Sequence, residues 1–259
     1  MMKRIIAFVL CVLMLASLVA CSGRIDSKDD FNNVTIGLIH SSKAIIELEK
    51  YHKENGSGLL GFYSLRDLDE GFRLDAIDCA VIDRNIANGF AETYSGYSVS
   101  KEAFGEGAIT FATPEAKKVY AIMFDKALAA LKEDGTVDKI MDGYLKDKSL
   151  KYTPKKLDNS NGEFKIAIDP ALAPYFESDG LNVSGGPLLE ILDAVCEYLE
   201  CDYTLVPVKT SEMTEALIYG KADFALGDFD SGITELIGLK PIVETKPVIT
   251  FDYAIISEK

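Results

Sequence analysis

Histidine is scarce in this 259-residue chain, with only His40 and His52, and neither lies in a close cluster with cysteine or aspartate. Structural zinc needs four nitrogen or sulfur ligands at short spacing, so no metal centre is expected. No Ser/His/Asp arrangement can be assembled either, which leaves no argument for nucleophilic catalysis. Positive charge is also in deficit, since 27 Lys and Arg stand against 41 Asp and Glu for a net −14. Such a balance repels phosphate backbones and argues against a nucleic-acid partner. Of five cysteines, Cys11 and Cys21 belong to the N-terminal segment treated next. Cys79, Cys196 and Cys201 remain, too few to pair fully. Buried free thiols are the expectation, and a Cys196–Cys201 disulfide is left open. Beyond the first twenty residues no apolar run approaches the roughly 20 residues that span a bilayer. The 48% hydrophobic content can bury one large core or two modest ones.

The first twenty residues read as an export signal. Lys3 and Arg4 are followed by the apolar run Ile5–Ala16, too short and wrongly flanked for a spanning helix. Leu18-Val19-Ala20-Cys21 resembles a bacterial lipoprotein cleavage box. That resemblance implies removal of residues 1–20, acylation of Cys21, and tethering to the membrane through the lipid. Residues 21–33 then form a polar tether.

From residue 34 onward, apolar strand-like runs alternate with helical patterns. Strands are expected at 34–39, 59–63, 77–82 and 108–112, with a helix carrying Ala44, Ile45, Leu48 and Tyr51 capped by Ser41 or Ser42. Thr113-Pro114 reads as the start of a long helix. Its apolar stripe is Ala116, Tyr120, Met123, Ala127 and Ala130, and Gly135 ends it in a left-handed turn. A short helix runs on through Leu145. Residues 148–162 are rich in Lys, Pro, Asn, Ser and Gly and read as a linker. Strands at 164–168, 203–207, 222–226 and 250–256 follow, with helices at 188–199 and 213–219. Strands alternating with helices give an α/β fold with mainly parallel sheets covered on both faces.

Asp78-Cys79-Ala80-Val81-Ile82-Asp83 before the linker is echoed after it by Asp223-Phe224-Ala225-Leu226-Gly227-Asp228. Each is an acidic residue, an apolar strand and an aspartate at the strand's carboxyl end. In open α/β sheets that end is where ligands sit. Two facing lobes would each aim an aspartate into one crevice; otherwise the two aspartates simply cap the helices that follow.

With these segments in view, the chain resembles the bacterial extracellular solute-binding proteins of family 3, the amino-acid-binding components of ABC importers with the type II periplasmic-binding-protein fold. The resemblance rests on Asp169-Pro170, Ala173-Pro174-Tyr175, Gly186 and Gly220-Lys221-Ala222-Asp223 for the family's N-terminal part. Leu74 to Asp83 resembles its second lobe, and Lys132 to Ile140 its C-terminal end. The order is shifted, which implies a circular permutation or a trimmed tandem duplication. Residues 34–105 correspond to lobe two, 106–147 to the returning part of lobe one, and 163–259 to its main part.

The resemblance implies a small-molecule ligand site. Asp83 matches the aspartate that pairs with a ligand ammonium, a charge-assisted contact. Ser41 and Ser42 match a turn at a helix N-terminus that favours a carboxylate. Leu172, Tyr175 and Thr210 fall at or near wall positions. The family's carboxylate-clamping arginine has no counterpart, for Glu235 or Gly238 occupies its place. Asp228 and Asp230 stand instead near the site, so the cleft is acidic and a cationic amine or a ligand carrying a metal suits it better than an anion. Gly56 to Gly61 fits G-x-G-x-x-G by letter but follows a helix and opens a strand, the wrong context for a dinucleotide. Ser98 to Lys101 fits S-x-x-K without companion motifs. The expected activity is capture by hinge closure, with no cofactor, in partnership with a membrane permease. An enzyme on the same scaffold and a sensory lipoprotein without ligand binding are the rival readings.

Overall fold

The computed structural model describes residues 24–39, 42–151, 153, 161–179, 182–228 and 241–259. The signal segment, Cys21, His40, Ser41, Asp230 and much of the expected linker lie outside the described residues. In chain order the first half runs β1 (Thr35–Ile39), α1 (Ala44–Asn55), β2 (Gly58–Phe62), α2 (Leu65–Arg73), β3 (Cys79–Asp83), α3 (Arg84–Thr93), β4 (Tyr97–Val99) and β5 (Gly105–Pro114). It continues through α4 (Lys118–Glu133), α5 (Thr136–Leu145), β6 (Glu163–Ile168), β7 (Glu177–Ser178), β8 (Val183–Gly185), α6 (Pro187–Leu199) and β9 (Asp202–Pro207). Last come α7 (Met213–Ile218), β10 (Phe224–Gly227), β11 (Ile242–Glu244) and β12 (Ile249–Glu258).

Strand pairing explains the two lobes. The order is β2-β1-β3-β12-β5-β10-β6-β9, with β4 beside β12 and β11 beside β5. The long strand β5 serves both halves. Residues Gly105 to Ile109 pair with β12, whereas Thr110 to Ala112 pair with β10 and Ala112 to Pro114 with β11. The chain crosses a second time between β11 and β12, where Thr245 N–H donates to the Phe111 carbonyl at 2.8 Å and Val248 N–H to that of Ile109 at 2.7 Å. Two adjacent strands thus connect the halves. The outer trios β2-β1-β3 and β9-β6-β10 are parallel, as expected, and the shared strands β5 and β12 run antiparallel to their neighbours.

The echoed hexapeptides play matching parts. Asp78 Oδ2 accepts the Thr35 N–H at 2.7 Å, and Asp223 Oδ2 accepts the Lys165 N–H at 2.9 Å. Each acidic residue therefore accepts a backbone amide of the parallel strand beside its own: that of Thr35 at the start of β1, and that of Lys165 just before β6 begins to pair with β10. The strands β3 and β10 that follow are buried along their whole length, which is why they read as unbroken apolar runs.

Several expectations are corrected. Pro114 ends β5 and does not open the long helix: its backbone is extended (φ −56°, ψ 140°), a short 3₁₀ turn follows at Glu115–Lys117, and α4 starts at Lys118. The buried face of α4 is Ala121, Phe124, Ala127, Leu128 and Leu131, while Met123 is exposed. Alanines at the right spacing mimicked a stripe, and the large Phe124, which stacks on Phe224 at 4.1 Å between ring centroids, sets the true one. The final strand β12 pairs with β3, so it joins the sheet of residues 34–105 although its place in the chain suggests 163–259. Gly135 does take the left-handed conformation expected (φ 79°). Gly56 (φ 71°) ends α1, which accounts for the glycine-rich letters there. Cys79, Cys196 and Cys201 are buried and form no disulfide. The Cys196 and Cys201 thiols hydrogen-bond to each other, which holds Cys196 protonated.

Candidate functional site

The carboxyl ends of β3 and β10 face one another across the gap between the lobes. Asp83 and Asp228 line a single cavity together with Ser42, Leu172, Tyr175 and Thr210. Six of the eight sequence-derived site residues are thus gathered at one place, and Ser41 and Asp230 lie outside the described residues. The remaining walls are Ile39, Ile82, Ile86, Ile109, Phe251 and Tyr253. The void is small, ≈ 50 Å³, room for about four waters at 10–15 Å³ each.

Asp83 is almost fully buried and does two jobs. Its Oδ1 accepts the N–H groups of Asn85 (2.6 Å) and Ile86 (3.3 Å) and so caps α3. Its Oδ2 accepts the Tyr175 hydroxyl at 2.6 Å, which in turn accepts Asn85 Nδ2 at 3.0 Å. Tyr175 comes from the opposite lobe, so this bond bridges the gap. Burial pushes the Asp83 pKa up to about 6, against the lowering effect of Tyr175 and the two amides. Burial and the Asp83 charge hold the Tyr175 hydroxyl well above its ordinary range.

Asp228 bridges in the other direction. Its Oδ2 accepts Tyr253 OH at 2.6 Å, Ser42 Oγ at 2.7 Å and the Lys43 N–H at 3.3 Å. Its Oδ1 is buried and has no partner among the described residues. Burial raises its pKa, while Tyr253, Ser42 and Lys43 pull it down. A third bridge joins Lys43 Nζ to Glu244 Oε2 at 2.6 Å, and Thr110 Oγ1 donates to the same oxygen at 3.1 Å.

The geometry changes three assignments. Ser42 does not offer a free hydroxyl to a ligand carboxylate, because its Oγ already donates to Asp228 Oδ2 and accepts the Ala44 N–H at 3.2 Å. Thr210 turns its amide and hydroxyl onto Asp169 Oδ2 at 2.8 and 2.7 Å, so it shapes the wall through Asp169. Tyr175, expected at or near the wall, is a direct partner of Asp83. Sequence reasoning missed Tyr253 and Phe251. They alternate along a strand whose place in the chain suggests lobe one, which hides that both face the gap. Lys43 and Glu244 were missed as well, since nothing local marks two charges 201 residues apart as partners.

The cavity therefore offers a buried carboxyl, a part-buried one, two phenols and apolar walls, and no cationic side chain lines it among the described residues. One carboxylate oxygen in it lacks a donor, and leaving such a group bare costs on the order of 1–3 kcal/mol. A ligand that brings hydrogen-bond donors or positive charge would satisfy it.

No family model and no curated protein matches the sequence. Among solved structures, the zinc-bound ligand-binding component of an ABC-type import system from Staphylococcus aureus aligns with TM-score 0.47 and 11% identity, over 88% of this chain. The chain spans 66% of that protein's length. Arginine-bound ArgBP from T. maritima, as its Gly52Ala mutant, aligns with TM-score 0.42 and 10% identity over 87% of each chain. Full-length CbnR complexed with its target DNA aligns with TM-score 0.44 and 9% identity, over 99% of this chain and 70% of that one.

Proposed function

We propose that this chain is an extracytoplasmic solute-binding protein, tethered through a lipidated Cys21, that captures a small cationic amine between its lobes for an ABC importer. The observation that carries this reading is that Asp83 and Asp228 line one interlobe cavity, where Asp228 Oδ1 is a buried carboxylate oxygen without a donor among the described residues. A protonated amine there would offset the negative charge of the two carboxyls and gain charge-assisted hydrogen bonds. Among the described lining residues a zwitterionic amino acid finds no cation for its carboxylate. Because the void holds only a few waters, entry requires the lobes to part about the paired crossing strands, and closure then shifts the population toward the form a permease would recognise. The early position of the β1–β3 lobe and the late β6–β10 segment support a circularly permuted arrangement of the type II periplasmic-binding-protein fold.

The test is a melting-temperature panel on purified protein with arginine, lysine, putrescine, spermidine, calcium, and neutral and acidic amino acids. A ligand at 100 times its dissociation constant adds about 2.7 kcal/mol. Stabilisation by amines supports the reading, and stabilisation by acidic or neutral amino acids alone refutes it. One feature favours the rival of a sensory or interaction lipoprotein: the gap is already bridged by the chain's own bonds. Failure of every compound to raise the transition would decide for that rival.

A further inference from the structure

Asp228 belongs to the lobe of β10, yet all three donors to its Oδ2 belong to the other lobe. Ser42 and Lys43 lead into α1, and Tyr253 stands on β12 beside β3. Ser42 Oγ, the Lys43 amide and the Tyr253 phenol converge on one point at the start of a twelve-residue helix. That is an anion seat, built from a helix N-terminus and two hydroxyls. The other oxygen, Asp228 Oδ1, is buried and has no partner among the described residues. Beside the seat, Asp83 adds a second carboxyl, and the Lys43 ammonium is held by Glu244.

We infer that Asp228 is a built-in carboxylate guest: from one lobe it fills an anion seat on the other, latching the two lobes together and shutting free carboxylates out. The inference rests on the reading of the gap as the ligand site and adds its selectivity. Ligands whose strongest handle is a carboxylate are refused, because it would compete with one that is covalently attached and always present, at high effective concentration. An amine ligand enters beside the latch and completes Asp228 Oδ1.

The experiment is chemical rescue. Asp228→Ala vacates the seat, and sodium acetate is the probe, with sodium chloride as control. Small-angle scattering and thermal melting are read for wild type and variant. Wild type is expected to be compact and indifferent to acetate. Asp228→Ala is expected to have a larger radius of gyration, which acetate restores, and a melting temperature that rises saturably with acetate. At ten times its dissociation constant acetate should raise the folded-to-unfolded ratio about 11-fold. Should the variant not fold in chloride, refolding in acetate is expected to recover it. The double variant Ser42→Ala, Tyr253→Phe keeps the carboxylate but loses the hydroxyl donors, and should expand without responding to acetate. Overturning results are an Asp228→Ala protein as compact as wild type, or one on which acetate acts no differently from chloride. Amine titration of wild type separates the two claims. Amine binding without acetate rescue sinks the latch alone, and acetate rescue without amine binding sinks the transport reading alone.

Discussion

Replacing Asp83 by asparagine should flatten the pH dependence of stability between about pH 4 and 6. In the native protein burial pushes the carboxyl from 3.8 up to about 6, while the unfolded chain keeps the lower value. Between those values the native state holds a proton that the unfolded state has released. Stability therefore falls as pH rises through that window. The contribution is fully present below about pH 4 and lost above about pH 6. Each pH unit separating the folded and unfolded values is worth about 1.4 kcal/mol, so the swing is about 3 kcal/mol. Asp83 is 5% exposed, so solvent screening takes little from it. Asparagine keeps an oxygen for the Asn85 and Ile86 amides and can donate to Tyr175, but it cannot ionise. Urea unfolding of both proteins at pH 4.5 and 7.5 gives the test, because repulsion from the net −14 is nearly common to both and cancels in the difference. Wild type should lose about 2 kcal/mol more than Asp83→Asn on going to the higher pH. Parallel pH profiles for the two proteins would refute the claim that Asp83 is a strained buried acid.

Tyr175→Phe removes the hydroxyl that serves both Asp83 and Asn85, and should cost about 1–3 kcal/mol in urea unfolding at pH 7. It should also shift the steep part of the Asp83 titration to higher pH. Gly186→Ala should cost at least about 1 kcal/mol and lower the melting temperature, since φ is 110° and a Cβ would strike the Tyr175 carbonyl and lie 2.8 Å from Phe176 Cα. Because that contact positions Tyr175, amine affinity should drop with it. Lys43→Met breaks the interlobe pair with Glu244 while keeping its apolar stem. The pair is only partly exposed, and an expanded scattering profile at low salt, with a loss of about 1 kcal/mol or less, is expected.

Much of the fold could be read because its elements announce themselves locally. The runs Cys79–Asp83 and Phe224–Gly227 are buried throughout and flanked by aspartates that accept neighbouring amides, so their role followed from pattern alone. Pro114 misled because a proline after a threonine suits a helix start and a strand end equally well, and only pairing with Ile242 separates them. The partition of β12 could not be read from sequence, since an antiparallel strand that closes the opposite lobe's sheet looks the same locally as one that closes its own. Within the site, Asp83 and Asp228 were legible as strand-terminal carboxylates. What they bond to was not, because Tyr175 and Tyr253 reach them from 92 and 25 residues away.

Isothermal titration at pH 7.5 of wild type and of the Asp83→Asn, Asp228→Asn double variant with putrescine, lysine methyl ester and n-butylamine addresses the acidic gap most directly. At least one amine should bind wild type and bind the double variant tenfold or more weaker. Wild-type affinity should drop as pH falls below about 6 and Asp83 takes up its proton. Equal binding to both proteins, or no heat from any amine, would contradict the assignment of these two carboxyls as the ligand's anchors.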